Sequence, residues 1–134
     1  MENMTVQTDK LRVLIVDDET SVRTLLSEVL QGQGYEVVVA SSGEEAVELA
    51  RKNPFEIVIT DMRMPGISGV EAVTTFQREY PTTPVIILTG FPDVALAVDF
   101  MKKNDVVDYL TKPVEKDKLI AAVEQAAQGR KLFG

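Results

Sequence analysis

Apolar residues along this chain follow two alternating rhythms. In the short runs Leu11–Val16, Val37–Ala40, Ile57–Thr60, Val85–Leu88 and Tyr109–Leu110, nearly every residue is apolar. Such runs predict strands buried on both faces. Between them the apolar positions recur at helical spacing. Val22, Leu25, Leu26, Val29 and Leu30 share one helical face, and Gly32 or Gly34 ends that helix. Ser42-Gly43-Glu44-Glu45 is a capping box that opens a second helix, running to about Lys52. A third is predicted from about Val70 to Arg78, with Pro81 and Pro84 marking its exit, and a fourth from about Val94 to Lys103. The last opens after Pro113 and puts Leu119, Val123 and Ala126 on one face.

Five strand–helix units in succession predict the α/β class, with right-handed crossovers and a parallel sheet covered by helices on both faces. A polar leader over 1–10 precedes one domain over 11–129. The segment 130–134 is expected to be a tail or the start of a linker.

Composition narrows the chemistry. With 134 residues there is room for one domain. The chain has no cysteine and no histidine. That excludes disulfides, thiolate zinc sites, cysteine nucleophiles and His-dependent triads. A net charge of −7 argues against direct nucleic-acid binding, which needs clustered Lys and Arg. No apolar stretch approaches a membrane span, and the first residues carry no signal-peptide pattern, so a soluble, cytoplasmic domain is expected.

The strand ends hold the remaining candidates. The first run stops at Asp17 and Asp18, the third at Asp61, the fourth at Thr89 and the fifth just short of Lys112. One Asp after the first strand is an ordinary helix cap. Two acids followed by Glu19 exceed what a cap needs, and three like charges repel unless a cation is supplied. With oxygen ligands alone, a hard divalent cation such as Mg2+ is the natural remedy. In a parallel sheet whose first and third strands are neighbours, Asp61 faces Asp17 and Asp18 across the switch point where open α/β sheets bind ligands. An ammonium and a hydroxyl beside them donate to phosphoryl oxygens. The set suggests phosphoryl transfer to Asp61 as covalent nucleophile. Gly32-Gln33-Gly34 follows a helix and precedes a strand, the wrong order for a phosphate loop.

From about Leu11 to Gly129 the chain resembles the receiver domain of two-component response regulators, of the CheY-like superfamily. The resemblance rests on the pair Asp17 and Asp18, the segment Asp61-Met62-Arg63-Met64-Pro65-Gly66-Ile67-Ser68-Gly69, Thr89, and Asp108-Tyr109-Leu110-Thr111-Lys112-Pro113, in this order across five βα units. It implies a flavodoxin-like doubly wound (βα)5 fold of strand order 2-1-3-4-5. It implies that Asp61 accepts a phosphoryl group from a phosphohistidine on a sensor histidine kinase, or from a phosphotransfer protein. Asp18, Asp61 and the backbone carbonyl of Arg63 are implied as direct Mg2+ ligands, with Asp17 acting through water. Lys112 is implied to pair with the phosphoryl oxygens and Thr89 to swing toward them. Tyr109 is implied to turn inward behind Thr89, and the bond before Pro113 to be cis. The face around the fourth helix, fifth strand and fifth helix is implied to control an effector, as a homodimer or as a target surface. Such a domain is a signalling module that catalyses only its own phosphorylation and dephosphorylation.

Some positions vary within the family or depart from its usual pattern. Gly90 follows Thr89 where alanine is commoner, and Asn104-Asp105 stand where Gly-Ala is usual, a turn that Asn tolerates. Arg63 and Phe91 sit two residues past Asp61 and Thr89, where the resemblance implies that side chains screen an acyl phosphate from water and affect its lifetime. Three rivals share part of the pattern. A haloacid-dehalogenase-type phosphatase needs an Asp where Arg63 stands, and an FMN protein needs a phosphate loop where the acidic Asp17–Ser21 lies. A pseudo-receiver would have lost a site residue, and none is lost.

Overall fold

The computed structural model describes residues 10–63, 69–90, 93–103 and 106–133. Five strands and five helices alternate: β1 Arg12–Val16, α1 Thr20–Gly32, β2 Glu36–Ala40, α2 Gly43–Lys52, β3 Ile57–Asp61, α3 Gly69–Glu79, β4 Val85–Thr89, α4 Val94–Lys103, β5 Asp108–Thr111 and α5 Lys116–Phe133. All strand pairs are parallel, in the order β2-β1-β3-β4-β5. This is the expected doubly wound (βα)5 sheet.

Successive residues of a strand point to opposite faces, and the core divides accordingly. Leu14, Val16, Val58, Val85 and Ile87 pack with Ala46, Ala72, Phe76 and Ala97, from α2, α3 and α4. Val13, Ile15, Ile57, Ile59, Ile86 and Leu88 pack with Leu26, Leu30, Leu119 and Val123, from α1 and α5. A strand in such a sandwich is apolar at most positions on both faces, which is why the runs carry no alternation. The rule fails at the edge. β2 leaves Val39 40% exposed, because only one neighbouring strand and fewer helices shield it.

The helix boundaries have identifiable causes. α1 ends in a Schellman arrangement: Tyr35 N–H donates to the Leu30 carbonyl (3.1 Å) and Gly34 N–H to that of Gln31 (3.0 Å). Gly34 takes φ +94° there, a region costly for residues with a Cβ, so Gly34 is the stop. Leu25 is exposed rather than on the buried face. The stripe centres on Leu26 and Leu30, and Leu25 sits one residue, about 100°, to its side. At α2, Ser42 Oγ accepts from Glu45 N–H (3.1 Å), and Glu45 returns the bond to Ser41 N–H (2.7 Å) rather than to Ser42. α5 runs through Phe133, so the helix continues past residue 129. The leader residues 1–9 and the turn Asn104-Asp105 lie outside the described residues.

Phe76 is the largest fully buried side chain, 1% exposed on α3 beneath the sheet. Phe76→Ala is expected to lower unfolding free energy by about 3–5 kcal/mol, through lost transfer energy and an incompletely filled cavity. Urea denaturation measures it, and a loss under about 1 kcal/mol would mean the core collapses freely around the gap.

Candidate functional site

The strand ladder extends one hydrogen bond past the sheet and sets the site residues in place. Asp17 N–H donates to the Ala40 carbonyl (3.1 Å), Met62 N–H to that of Leu88 (3.1 Å), and Lys112 N–H to that of Thr89 (2.9 Å). Asp17, Asp61, Thr89 and Lys112 thus stand on sheet-anchored backbone at the carboxyl ends of β1, β3, β4 and β5. Asp17 is fully buried, Asp61 is 6% exposed and Thr89 1%, while Asp18 lies at the surface.

Lys112 joins them. Its Nζ lies 2.8 Å from Asp61 Oδ2, 2.8 Å from Asp17 Oδ2 and 3.0 Å from Glu19 Oε1. The Lys112–Pro113 peptide is cis, as expected. Burial alone would lower the lysine's pKa, but its bonds to Asp17, Asp61 and Glu19 prevail and raise it, so Lys112 stays charged. At Asp17 burial prevails instead. Burial pushes its carboxyl above the ordinary value, and Asp61 adds repulsion, against the opposing pull of Lys112 and the Glu19 N–H.

Backbone donors orient the carboxylates. Asp17 Oδ1 accepts from Glu19 N–H (2.8 Å) and Asp61 Oδ1 from Arg63 N–H (3.0 Å). Neither Asp17 nor Asp18 caps α1. Glu19 occupies the N-cap position without a side-chain bond. Arg23 reaches back from α1 to donate to the Asp17 carbonyl (2.7 Å), which locks the acidic turn.

The carboxylates of Asp17, Asp18 and Asp61 bring ligand oxygens within 4.8 Å of one another. Asp17 Oδ2 is buried and has no hydrogen-bond partner, its approach to Lys112 being an ion pair without hydrogen-bonding angles. A buried anionic oxygen whose one close partner is the Lys112 ammonium, set among the oxygens of two further carboxylates, suits a hard divalent cation.

Three further expected site residues rest as follows in the unmodified chain. The Arg63 side chain turns away to Asp93, with Nη2 2.7 Å from Oδ1. Thr89 Oγ1 donates to the Gly90 carbonyl (3.3 Å) and touches no carboxylate of the site among the described contacts. Tyr109 is half-buried against the core beneath α4. Phe91 and the segment from Met64 to Ser68 lie outside the described residues. Sequence reasoning had no role for Arg23 or Asp93. Asp93 carried a faint signal as an acid just ahead of a helix, and Arg23 carried none.

The family model of the response regulator receiver domain matches residues 13–124. The transcriptional regulatory protein ZraR of Escherichia coli is 37% identical over 118 residues, 88% of this chain and 26% of that protein. The chain thus spans about a quarter of such relatives' length. A response regulator receiver domain from Clostridium thermocellum superposes with a TM-score of 0.86 at 34% identity, covering 92% of this chain and 99% of that one. The chemotaxis response regulator CheY4 of Vibrio cholerae follows at 0.79 and 31%, covering 87% and 98%. This chain belongs to the response regulator receiver family.

Because burial prevails at Asp17, with repulsion from Asp61 added, its ionised form is costly without a bound cation. A group whose folded pKa is raised contributes stability at low pH and loses it as pH rises from the ordinary value of 3.8 through the folded one. In EDTA at neutral pH, Asp17→Asn is therefore expected to raise the melting temperature by about 2–5 °C, and to remove any further rise that added Mg2+ produces in the native chain. A lower melting temperature would show that its ion pair with Lys112 outweighs desolvation.

Proposed function

We propose that the chain is a phosphoacceptor switch, in which Asp61 takes a phosphoryl group from a sensor histidine kinase or phosphotransfer protein. The observation that carries this is the meeting of Lys112 with Asp61 and Asp17 at 2.8 Å each, on the strand ends that also present Asp18 and Thr89. One Asp61 oxygen attacks phosphorus while the donor's P–N bond breaks, and the electron pair leaves with the imidazole of the partner. The high-energy phosphoramidate supplies the driving force, so the residues need only align the acceptor and offset charge.

Arg63 N–H and Lys112 aim the carboxylate, and the pairing with Lys112 stabilises charge gathering on the phosphoryl oxygens. Asp18, Asp61 and the Arg63 carbonyl would hold Mg2+ directly, and Asp17 through water. When bound, the ion neutralises charge between acceptor and phosphoryl group. Thr89, on β4 beside β5 through its register with Thr111, turns its hydroxyl from the Gly90 carbonyl toward the new oxygens. Tyr109 then moves inward, and the surface of α4, β5 and α5 changes for an effector or a second copy of the chain. The reaction is self-modification, so the domain is a signalling module rather than an enzyme acting on other substrates. Among the described residues no helix is long and apolar enough to cross a membrane, consistent with service beside a cytoplasmic kinase domain.

Incubation with acetyl phosphate and Mg2+ is expected to add one phosphoryl mass to the native chain and none to Asp61→Asn, by intact-mass spectrometry. Lys112→Met is expected to slow the gain at least tenfold. A full adduct on Asp61→Asn would move the acceptor elsewhere and end this reading.

A further inference from the structure

Arg63 and Asp93 meet across the gap between the β3–α3 and β4–α4 connections. Arg63 Nε lies 2.7 Å from Asp93 Oδ2, and Nη2 2.7 Å from Oδ1. This is the two-pronged fork in which a guanidinium binds a carboxylate most specifically. The arginine side chain is 72% exposed and the aspartate's 16%, so the acid is the fixed partner and the cation the free one. Asp93 is held by its N–H to the Gly90 carbonyl (2.9 Å) and directly precedes α4. At the other end, the N–H of Arg63 itself grips Asp61 Oδ1 (3.0 Å). Acceptor and helix are thus joined through a single residue.

We infer that a phosphoryl group on Asp61 competes with Asp93 for the Arg63 guanidinium, and that this exchange couples the charge on Asp61 to the position of α4. The inference rests on the reading of Asp61 as acceptor. A phosphorylated side chain offers about two negative charges and three acceptor oxygens, against one charge on Asp93. The arginine stem is rooted two residues from the acceptor, so the exchange needs only side-chain rotation. Losing the cation removes the tie that crosses to the start of α4. That helix is lightly held otherwise: Ala97 alone is buried on it, with Phe100 and Met101 partly buried. An element with so little buried surface is the one a lost ion pair can displace.

The test follows the backbone amides of α4 by NMR, in the native chain, Asp93→Asn, Arg63→Ala and the charge reversal Arg63→Asp with Asp93→Arg, each with and without Mg2+ and beryllofluoride. Without beryllofluoride, both single variants are expected to move these amides toward the native chain's beryllofluoride-bound positions. The shifted population should rise roughly two- to fivefold, the range an exposed ion pair supplies. The charge reversal is expected to return them to the native free positions. Single variants that keep those free positions would show a surface ion pair only and overturn the inference, as would a reversal that leaves the helix displaced. If beryllofluoride binds the native chain yet moves no α4 amide, the coupling is wrong while the acceptor reading stands. Failure of beryllofluoride to bind at all removes both.

Discussion

Lys112 Nζ stands within 3.0 Å of carboxylate oxygens from Asp17, Asp61 and Glu19, and the end of the sheet is organised around that cation. Acids converge at the carboxyl ends of β1 and β3, two of them almost fully buried. Without a counter-charge the cost of desolvating and crowding them would fall on the fold itself. One ammonium shared among three acids lowers the cost without removing it, and the raised pKa of Asp17 is the remainder. The residue is therefore both a structural brace and, under the proposed reaction, the group that transfers its attention to an incoming anion. A site assembled this way is held under electrostatic tension that a divalent cation would relieve.

That tension is bearable because the sheet below is apolar on both faces. The three inner strands β1, β3 and β4 are buried almost throughout, and each buried side chain of that size contributes about 1.5–3 kcal/mol relative to exposure. The same double burial made the fold readable from sequence. Continuous apolar runs of five residues, separated by helical stripes, admit few arrangements other than a parallel sheet between two helical layers. What the runs did not reveal was position in the sheet. Val37 to Val39 reads like the inner strands, yet β2 is an edge, since the pattern records only that residues are apolar and not how many neighbours cover them. Leu25 was misplaced for a related reason: five apolar residues spread over more than one face of α1, and only packing decides where the buried stripe ends.

For the site, Asp17, Asp18, Asp61, Thr89 and Lys112 were legible because each terminates a strand, and parallel strands bring their ends together. The contacts that hold them were not. Arg23 anchors the Asp17 carbonyl and Arg63 pairs with Asp93 over 30 residues of sequence. Both depend on where long side chains swing after the backbone is set, which no local pattern encodes. Glu19 is intermediate: its charge was visible as part of an acidic run, but its partnership with Lys112, 93 residues away, needed the strand order.

These long-range contacts bear on how a small covalent change could be read at a surface. Moving a two-state equilibrium from 1:99 to 99:1 takes about 5.5 kcal/mol, more than one exposed ion pair can deliver. A phosphoryl group on Asp61 would act on several linked terms at once: Lys112 shared among acids, the Thr89 hydroxyl resting on the Gly90 carbonyl, and the Arg63 tie to Asp93. Each of the three is a divided, long or solvent-exposed contact in the unmodified chain, and under the proposed reaction each would find a competing partner in a phosphoryl oxygen. The inner strands, buried at every position but Arg12, resist displacement. On α4 Ala97 alone is buried, so that helix has little buried surface to lose. Under the proposed switch, motion would thereby be confined to α4 and the segments beside it.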